Sequence, residues 1–328
     1  MSNGRALVTG GCGFVGRRFV KRLVEDGFHV TVVDDLSTGR APENWPDPVR
    51  LGSDQLRDVS WEIRDVREWI GGARPQFDLV VHLAAVVGGR MNIEGDPLSV
   101  ATDLAIDATL FNWLVSGPGP RPKTLYFSSS AAYPIGLQTR ERSVLLSEEM
   151  IDFADGLGVP DMTYGWSKLT GEFLARHAAA SYGLDVVIYR PFSGYGEDQD
   201  FTYPFPSVVR RVGRREDPVI VWGSGEQGRD FIYIADVVEA VLASMNELES
   251  AEALNLATGR RVSFFDLART ACDVIGHEGM VANDPDRPEG VFSRVGDPSR
   301  MLGFFEPRTS LRQGIEIVHR YQVDHGLL

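Results

Sequence analysis

The sequence predicts an α/β fold, a doubly wound parallel sheet followed by a smaller C-terminal lobe. Three observations predict it. Short apolar runs alternate with stretches of helical periodicity through residues 1–191, the pattern of repeated βαβ units. A glycine-spaced turn, Thr9-Gly10-Gly11-Cys12-Gly13-Phe14-Val15-Gly16, joins the first run to the first helical stretch. Beyond Pro191 the regularity ends, and Pro, Gly and aromatic residues dominate to residue 231.

Residues 6–9 are a short apolar run ending in glycines, which predicts a buried strand. Residues 14–25 have helical periodicity and stop near Gly27. A second strand at 29–33 closes on Asp34 and Asp35, and the Pro-rich, polar stretch 40–58 reads as loop. A short strand at 61–63 precedes Asp65, and 77–83 is a strong strand. Residues 97–115 read as a long helix stopped at Gly117-Pro118. Strand 124–128, helix 162–182 and strand 186–189 complete the series. Residues 234–245 look helical again, and the Pro- and Arg-rich region from about 276 ends in a helix near 310–321. Residues 1–191 therefore form a first domain, to which 231–258 return, while 192–230 and 259–328 form a second lobe.

A chain of 328 residues can bury one large core or two modest ones. Its 43% hydrophobic and 24% charged content is that of a soluble globular protein. The net charge of −13 argues against a nucleic-acid partner, yet a few Arg can still build a local pocket for an anionic ligand. The two cysteines, Cys12 and Cys272, are far apart, so neither a disulfide framework nor a zinc spacing is formed and no metal is expected. The N-terminus enters a strand pattern without a leader-like segment, and no apolar stretch has the length of a membrane span. These features predict a cytoplasmic protein with no membrane partner.

Gly10, Gly13 and Gly16 are spaced three apart between a strand and a helix, with Phe14 and Val15 inside the turn. Glycines let backbone N–H groups approach a pyrophosphate, and the helix N-terminus adds its positive dipole end. An acid about 20 residues on, at the tip of the second strand, holds a ribose 2′-hydroxyl. Asp34 stands there beside Asp35. A carboxylate there repels a 2′-phosphate, so the cofactor predicted is NAD. Asp65, followed by Val66, occupies the place expected to meet the adenine amino group, with a surface turn as its other reading.

Tyr164 and Lys168 lie four apart, so on a helix they share one face. A cation beside a phenol draws its pKa down from about 10, toward a useful general base. The chain has three lysines, Lys21, Lys123 and Lys168, among 33 basic residues. Keeping Lys here suits a compact ammonium rather than the bulkier guanidinium.

With these segments the chain resembles the extended short-chain dehydrogenase/reductases, specifically their nucleotide-sugar epimerase/dehydratase branch. The resemblance rests on 9–16, His82-Leu83-Ala84-Ala85, Tyr126-Phe127-Ser128-Ser129-Ser130, Tyr164-Gly165-Trp166-Ser167-Lys168, 190–196 and 223–236. It implies a Rossmann-like domain and the roles that follow. Ser129, four before Tyr133, would bond the sugar hydroxyl that is oxidised, with Ser130 beside it. Tyr164 would take the proton, and Lys168 would hold the cofactor ribose. Leu83, Ala84, Ala85, Val87 and Ser128 would line the cofactor, with Pro191 and Phe192 near the nicotinamide. Arg229 would grip the substrate diphosphate, joined by Arg287; Val87, Ser193 and Trp222 would complete the substrate site.

The family's specialised acids are absent here. Ser130 and Ala131 stand where a 4,6-dehydratase carries Asp-Glu, and Ala131 replaces the Glu of decarboxylases and the Cys of 3,5-epimerases and fucose synthases. The resemblance therefore implies a nucleotide-sugar 4-epimerase working through a transient 4-keto sugar. The alternatives are a GDP-sugar 3,5-epimerase, a 4,6-dehydratase or a keto-sugar reductase, and, of another class, a non-catalytic NAD sensor. Glu148, Glu149, Asp152, Asp155 and Asp161, in the stretch before Tyr164, are further acid/base candidates. The family also implies a homodimer packed through 97–115 and 162–182.

Overall fold

The structure is a computed structural model and describes residues 4–71, 76–86, 90–117 and 119–328. Its centre is a seven-stranded sheet of order β11-β6-β5-β4-β1-β2-β3, with every pair parallel. The strands are β1 (Arg5–Thr9), β2 (His29–Asp34), β3 (Val59–Ile63), β4 (Leu79–His82), β5 (Lys123–Phe127), β6 (Val186–Pro191) and β11 (Ala253–Leu256). Ala6, Leu7 and Val8 of β1 are fully buried, as are Val80 and Val81 of β4. A strand covered on both faces must read as an unbroken apolar run, which is why these were visible in the sequence.

One face is covered by α1 (Gly16–Glu25) and α7 (Ile234–Ser244), through Phe19, Leu23, Val237 and Val241. The other carries α2 (Val66–Ile70), α4 (Thr102–Val115) and α5 (Met162–Tyr182), through Trp69, Leu110, Phe111 and Ala175. The strand order reverses between β1 and β4, so a crevice opens beyond their carboxyl ends. The helix α3 (Arg90–Gly95) follows β4 at that rim.

A separate core gathers α6 (Pro204–Gly213), α8 (Phe264–Ile275) and α9 (Leu311–Asp324) around β8 (Val219–Trp222) and β13 (Val281–Asp284). The stretch that looked irregular also holds short strands. β7 (Ser193–Tyr195) pairs with β10 (Phe231–Tyr233), and β9 (Gly228–Arg229) lies between β12 (Val262–Ser263) and β14 (Ser293–Arg294). Strands of two or three residues are too short to show a period.

Boundaries shift for local reasons. The helix expected over 97–115 starts at Thr102, because Ser99–Ala101 form a 3-10 turn first. The strand expected over 77–83 is only four residues, Leu79–His82. Residues 40–58 hold three 3-10 turns that seat Trp45, 1% exposed, edge-on against Trp61. The last helix runs to Asp324 behind a reciprocal cap between Ser310 and Gln313.

Candidate active site

The glycine turn and the segment after β4 face each other across the crevice. Gly10 has φ +68, and a Cβ there would stand 2.7 Å from the Ala84 nitrogen. A Cβ on Gly16 would stand 2.1 Å from the Gly10 carbonyl oxygen. The cradle is closed to side chains at both points, as close backbone approach to a pyrophosphate requires. Thr9 Oγ1 lies 3.3 Å from both the Leu83 and Ala84 nitrogens, tying the two segments together. Val15 precedes α1 and packs on the core, while Phe14 lies under the Arg18 guanidinium at 4.3 Å. Ala85 is half-buried on the same segment; Val87 lies outside the described residues.

Asp34 ends β2 with 8% exposure, and its carboxylate accepts the Cys12 amide at 2.9 Å and the Leu36 amide at 2.8 Å. Burial raises its pKa, and those amide bonds oppose the rise. Asp35 is exposed and caps Ser37 at 2.9 Å. Asp65 sits at the start of α2, in the turn that was its other reading. Its side chain caps α2 by accepting the Arg67 amide at 2.8 Å and pairs with the Arg67 guanidinium, which holds its pKa below the ordinary carboxylate range. Val66 turns its side chain into the core.

Tyr164 and Lys168 ride the first turns of α5. The Asp161 amide donates to the Ala131 carbonyl at 2.9 Å, anchoring the helix start to the Ser129 segment. Ser129 is in extended backbone and its hydroxyl accepts the Ala131 amide at 3.1 Å. The Lys168 ammonium is 5.8 Å from the centroid of the Tyr164 ring and 5.7 Å from that of Tyr126. Here the structure corrects the sequence reading. Burial raises the Tyr164 pKa above its ordinary value; Lys168 and a Ser129 hydrogen bond oppose this, while Asp103 and Asp107 add to it. Burial pulls Lys168 down, but Tyr164, Asp107 and Asp103 outweigh it, so the ammonium stays charged.

Beneath that pair lies a polar chain that sequence reasoning missed. Thr9 Oγ1 and His82 Nδ1 are 2.7 Å apart, His82 Nε2 and Asp107 Oδ1 2.9 Å, and the Tyr126 hydroxyl donates to Asp107 Oδ2 at 2.7 Å. The signal was available: Asp103 and Asp107 are four apart on α4, so they share a face. Tyr203, just before α6, was also missed; it is half-buried and within electrostatic reach of Tyr164.

Ser128 does not offer its proton to the crevice. Its hydroxyl donates to Glu172 Oε1 at 2.5 Å, and Glu172 binds Arg190, which in turn donates to the Tyr133 hydroxyl at 3.1 Å. Phe192 is buried against Tyr133 at 6.1 Å between ring centroids, and Pro191 ends β6 beside it. Ser130 is buried in the turn after Ser129, and Ala131 follows it.

In the second lobe, Ser193 is half-buried and its amide donates to the Asp230 carbonyl at 2.9 Å. Arg229 donates to the carbonyls of Gly228 at 2.8 Å and Val291 at 2.9 Å, so its guanidinium is held along the strand edge. The Arg287 guanidinium lies 5.4 Å from the Trp222 ring centroid and 3.5 Å from Asp284, bringing two predicted substrate residues together. Three of the acid/base candidates have other partners. Glu148 accepts the Asn255 amide, Asp161 pairs with Arg294 at 2.7 Å, and Asp152 caps Ala154. Glu149 and Asp155 are exposed. Asp198 is clamped by Arg17 and Arg18, and Glu197 accepts the Tyr233 hydroxyl at 3.0 Å. Among the described residues, no group of three or more His, Cys, Asp or Glu could hold a metal ion, and no helix is long and apolar enough to cross a membrane.

A glycine cradle at the switch point of a parallel sheet, with Ser, Tyr and Lys at the same end, marks a Rossmann-like protein with a dinucleotide site. The chain belongs to the NAD dependent epimerase/dehydratase family, whose model matches residues 6–257. It is 33% identical over 258 residues to a putative GDP-L-fucose synthase 2 of Oryza sativa subsp. japonica, covering 75% of this chain and 72% of the relative. It is 31% identical to a dTDP-4-dehydro-6-deoxy-D-allose reductase of Streptomyces sp, covering 96% and 95%. The structure resembles UDP-glucose 4-epimerase of Thermotoga maritima with UDP-glucose, at TM-score 0.80 and 26% identity over 99% and 100% of the chains. It also resembles the UDP-glucose 4-epimerase of Thermus thermophilus in complex with NAD, at 0.79 and 25% over 97% and 98%. NAD is the cofactor of this family, and the cradle at Gly10 and Gly16 with the buried Asp34 fits it.

Proposed function

We propose that the protein is an NAD-dependent nucleotide-sugar 4-epimerase. The observation that supports this most is the placement of Ser129, Tyr164 and Lys168 together with the small, buried Ala131 where sister enzymes carry a second acid/base. Asp161 and Glu148, two of the carboxylates considered for that job, are each tied to another partner.

In this reading Ser129 and Tyr164 bond the 4-hydroxyl, and Tyr164 Oη takes its proton while Lys168 stabilises the phenolate. Bound NAD supplies the hydride acceptor and a positive nicotinamide ring, which favours that phenolate. The same phenol returns the proton after the 4-keto sugar has turned. Asp34 would hold the adenosine ribose; Trp222, Arg229, Arg287 and Ser193 would hold the nucleotide diphosphate in the second lobe, formed by 192–230 and 259–328. α5 leaves Trp166, Phe173 and Tyr182 exposed, which supports a homodimer through α4 and α5. The predicted site of action is the cytoplasm.

Incubation with UDP- and GDP-hexoses and separation of the epimers tests the reading. Epimer exchange without net cofactor consumption is expected. A dehydrated or decarboxylated product, or solvent deuterium at C3, C5 or C6, overturns it. A second reading, keto-sugar reductase, is favoured by the full-length similarity to the allose reductase. It requires stoichiometric oxidation of a reduced nicotinamide by a 4-keto nucleotide sugar, which the same assay reads by absorbance.

A further inference from the structure

We propose that Asp103 is a positioning residue of this site, fixing the cofactor-side segment 83–86 with one carboxylate oxygen and acting on the Lys168–Tyr164 pair through its charge. The inference rests on Tyr164 being the base of the proposed reaction. Nothing in the residue pattern that defines the family's reacting trio calls for a carboxylate at this point.

Three observations carry it. Asp103 lies in the first turn of α4, fully buried. Its Oδ1 accepts the Val86 amide at 2.5 Å, and Val86 ends the segment that faces the glycine cradle. Its Oδ2 is buried with no hydrogen-bond partner among the described residues. Asp107, one turn on, differs: both its oxygens are taken, by His82 and Tyr126. A buried carboxylate with an idle oxygen is costly, so a fold that keeps it uses the charge or the acceptor for something beyond packing.

Among the described residues, the groups that face Asp103 are Lys168 and Tyr164 from α5, Asp107 from its own helix, His82 from β4 and Tyr126 from β5. Tyr164 in turn faces Lys168, Ser129, Asp103, Asp107 and Tyr203. Asp103 opposes loss of the Tyr164 proton and favours the charged Lys168. It thereby makes the phenol hold its proton more tightly than Lys168 alone would have it, and it keeps the ammonium charged.

The test is an ultraviolet difference titration of phenolate in the purified protein, which needs no turnover. Subtracting the Tyr164→Phe trace isolates Tyr164 among 9 tyrosines. Asp103→Asn keeps an oxygen for the Val86 amide and removes the charge, so the Tyr164 midpoint falls by about one to two pH units. Asp103→Ser is read the same way if the Asn variant does not fold. An unmoved or raised midpoint overturns the electrostatic role. NAD affinity gives the second arm: Asp103→Asn stays near wild type, while Asp103→Ala, which also loses the Val86 acceptor, weakens it by about five- to tenfold. Equal NAD affinity in both variants overturns the positioning of 83–86. If Tyr164→Phe retains full epimerisation, the reading of Tyr164 as base fails while the charge coupling stands, so the two failures are distinguishable.

Discussion

Glu172→Gln should be among the most damaging single substitutions in the sheet domain, although Glu172 is not proposed to touch substrate. Glu172 and Arg190 are both fully buried, and their ion pair is 2.7 Å long with a second bond from Arg190 Nε at 2.9 Å. Burial works against the Arg190 charge, but Glu172 and Tyr133 outweigh it and hold the guanidinium firmly charged. Gln keeps the shape and one acceptor oxygen but removes the counter-charge, leaving the guanidinium with neutral acceptors such as the Tyr133 hydroxyl and the Glu148 carbonyl. Breaking a buried pair from one side costs about 3–5 kcal/mol. Against a total stability of about 5–15 kcal/mol, that lowers the folded-to-unfolded ratio by roughly two to three and a half powers of ten. Ser128 also loses a charged acceptor for its hydroxyl. Urea unfolding followed by circular dichroism measures the change as a lowered midpoint at constant slope. The double variant Glu172→Gln/Arg190→Met removes the stranded charge and should regain much of the loss. A single variant within about 1 kcal/mol of wild type, which is the range of an exposed pair, would refute the reasoning.

Three further predictions concern the site and the acid limb of stability. Tyr164→Phe should lower kcat for epimer exchange by roughly 10²–10⁴-fold with NAD affinity unchanged, measured by steady-state kinetics and fluorescence titration. Asp34→Ala should weaken NAD roughly ten- to hundredfold and narrow its advantage over NADP, measured by calorimetry. Asp198 is buried, which raises its pKa, but Arg18 and Arg17 outweigh burial and leave it below the ordinary 3.8. Its pairing therefore adds stability above pH about 4 that is lost as pH falls through the folded value. Asp198→Asn should flatten the acid limb of a stability–pH curve below pH about 4 while lowering stability at neutral pH; thermal melts across pH would show it.

What was legible in the sequence was local. The glycine cradle could be read because a left-handed Gly10 and a crowded Gly16 are demands of a few adjacent residues. The Tyr164–Lys168 face could be read because a helix fixes residues four apart, and β1 and β4 because strands buried on both faces are apolar throughout. What escaped notice depends on distant residues. Thr9 and His82 meet across 73 residues, and His82 meets Asp107 across 25. Arg229 was legible as chemistry but not as geometry: nothing near it in the chain points to the Val291 carbonyl, 62 residues on, that helps to hold it. The phenol is the clearest case. Its spacing to Lys168 shows one cation, and from that alone a lowered pKa follows. The fold adds burial and two carboxylates, and these win. In the protein by itself Tyr164 therefore holds its proton more tightly than a free phenol, and the proposed proton abstraction would need a further positive charge or a hydroxyl donor beside it. The proposed abstraction would then be conditional on the assembled site, which would suit an epimerisation that must return every proton it removes.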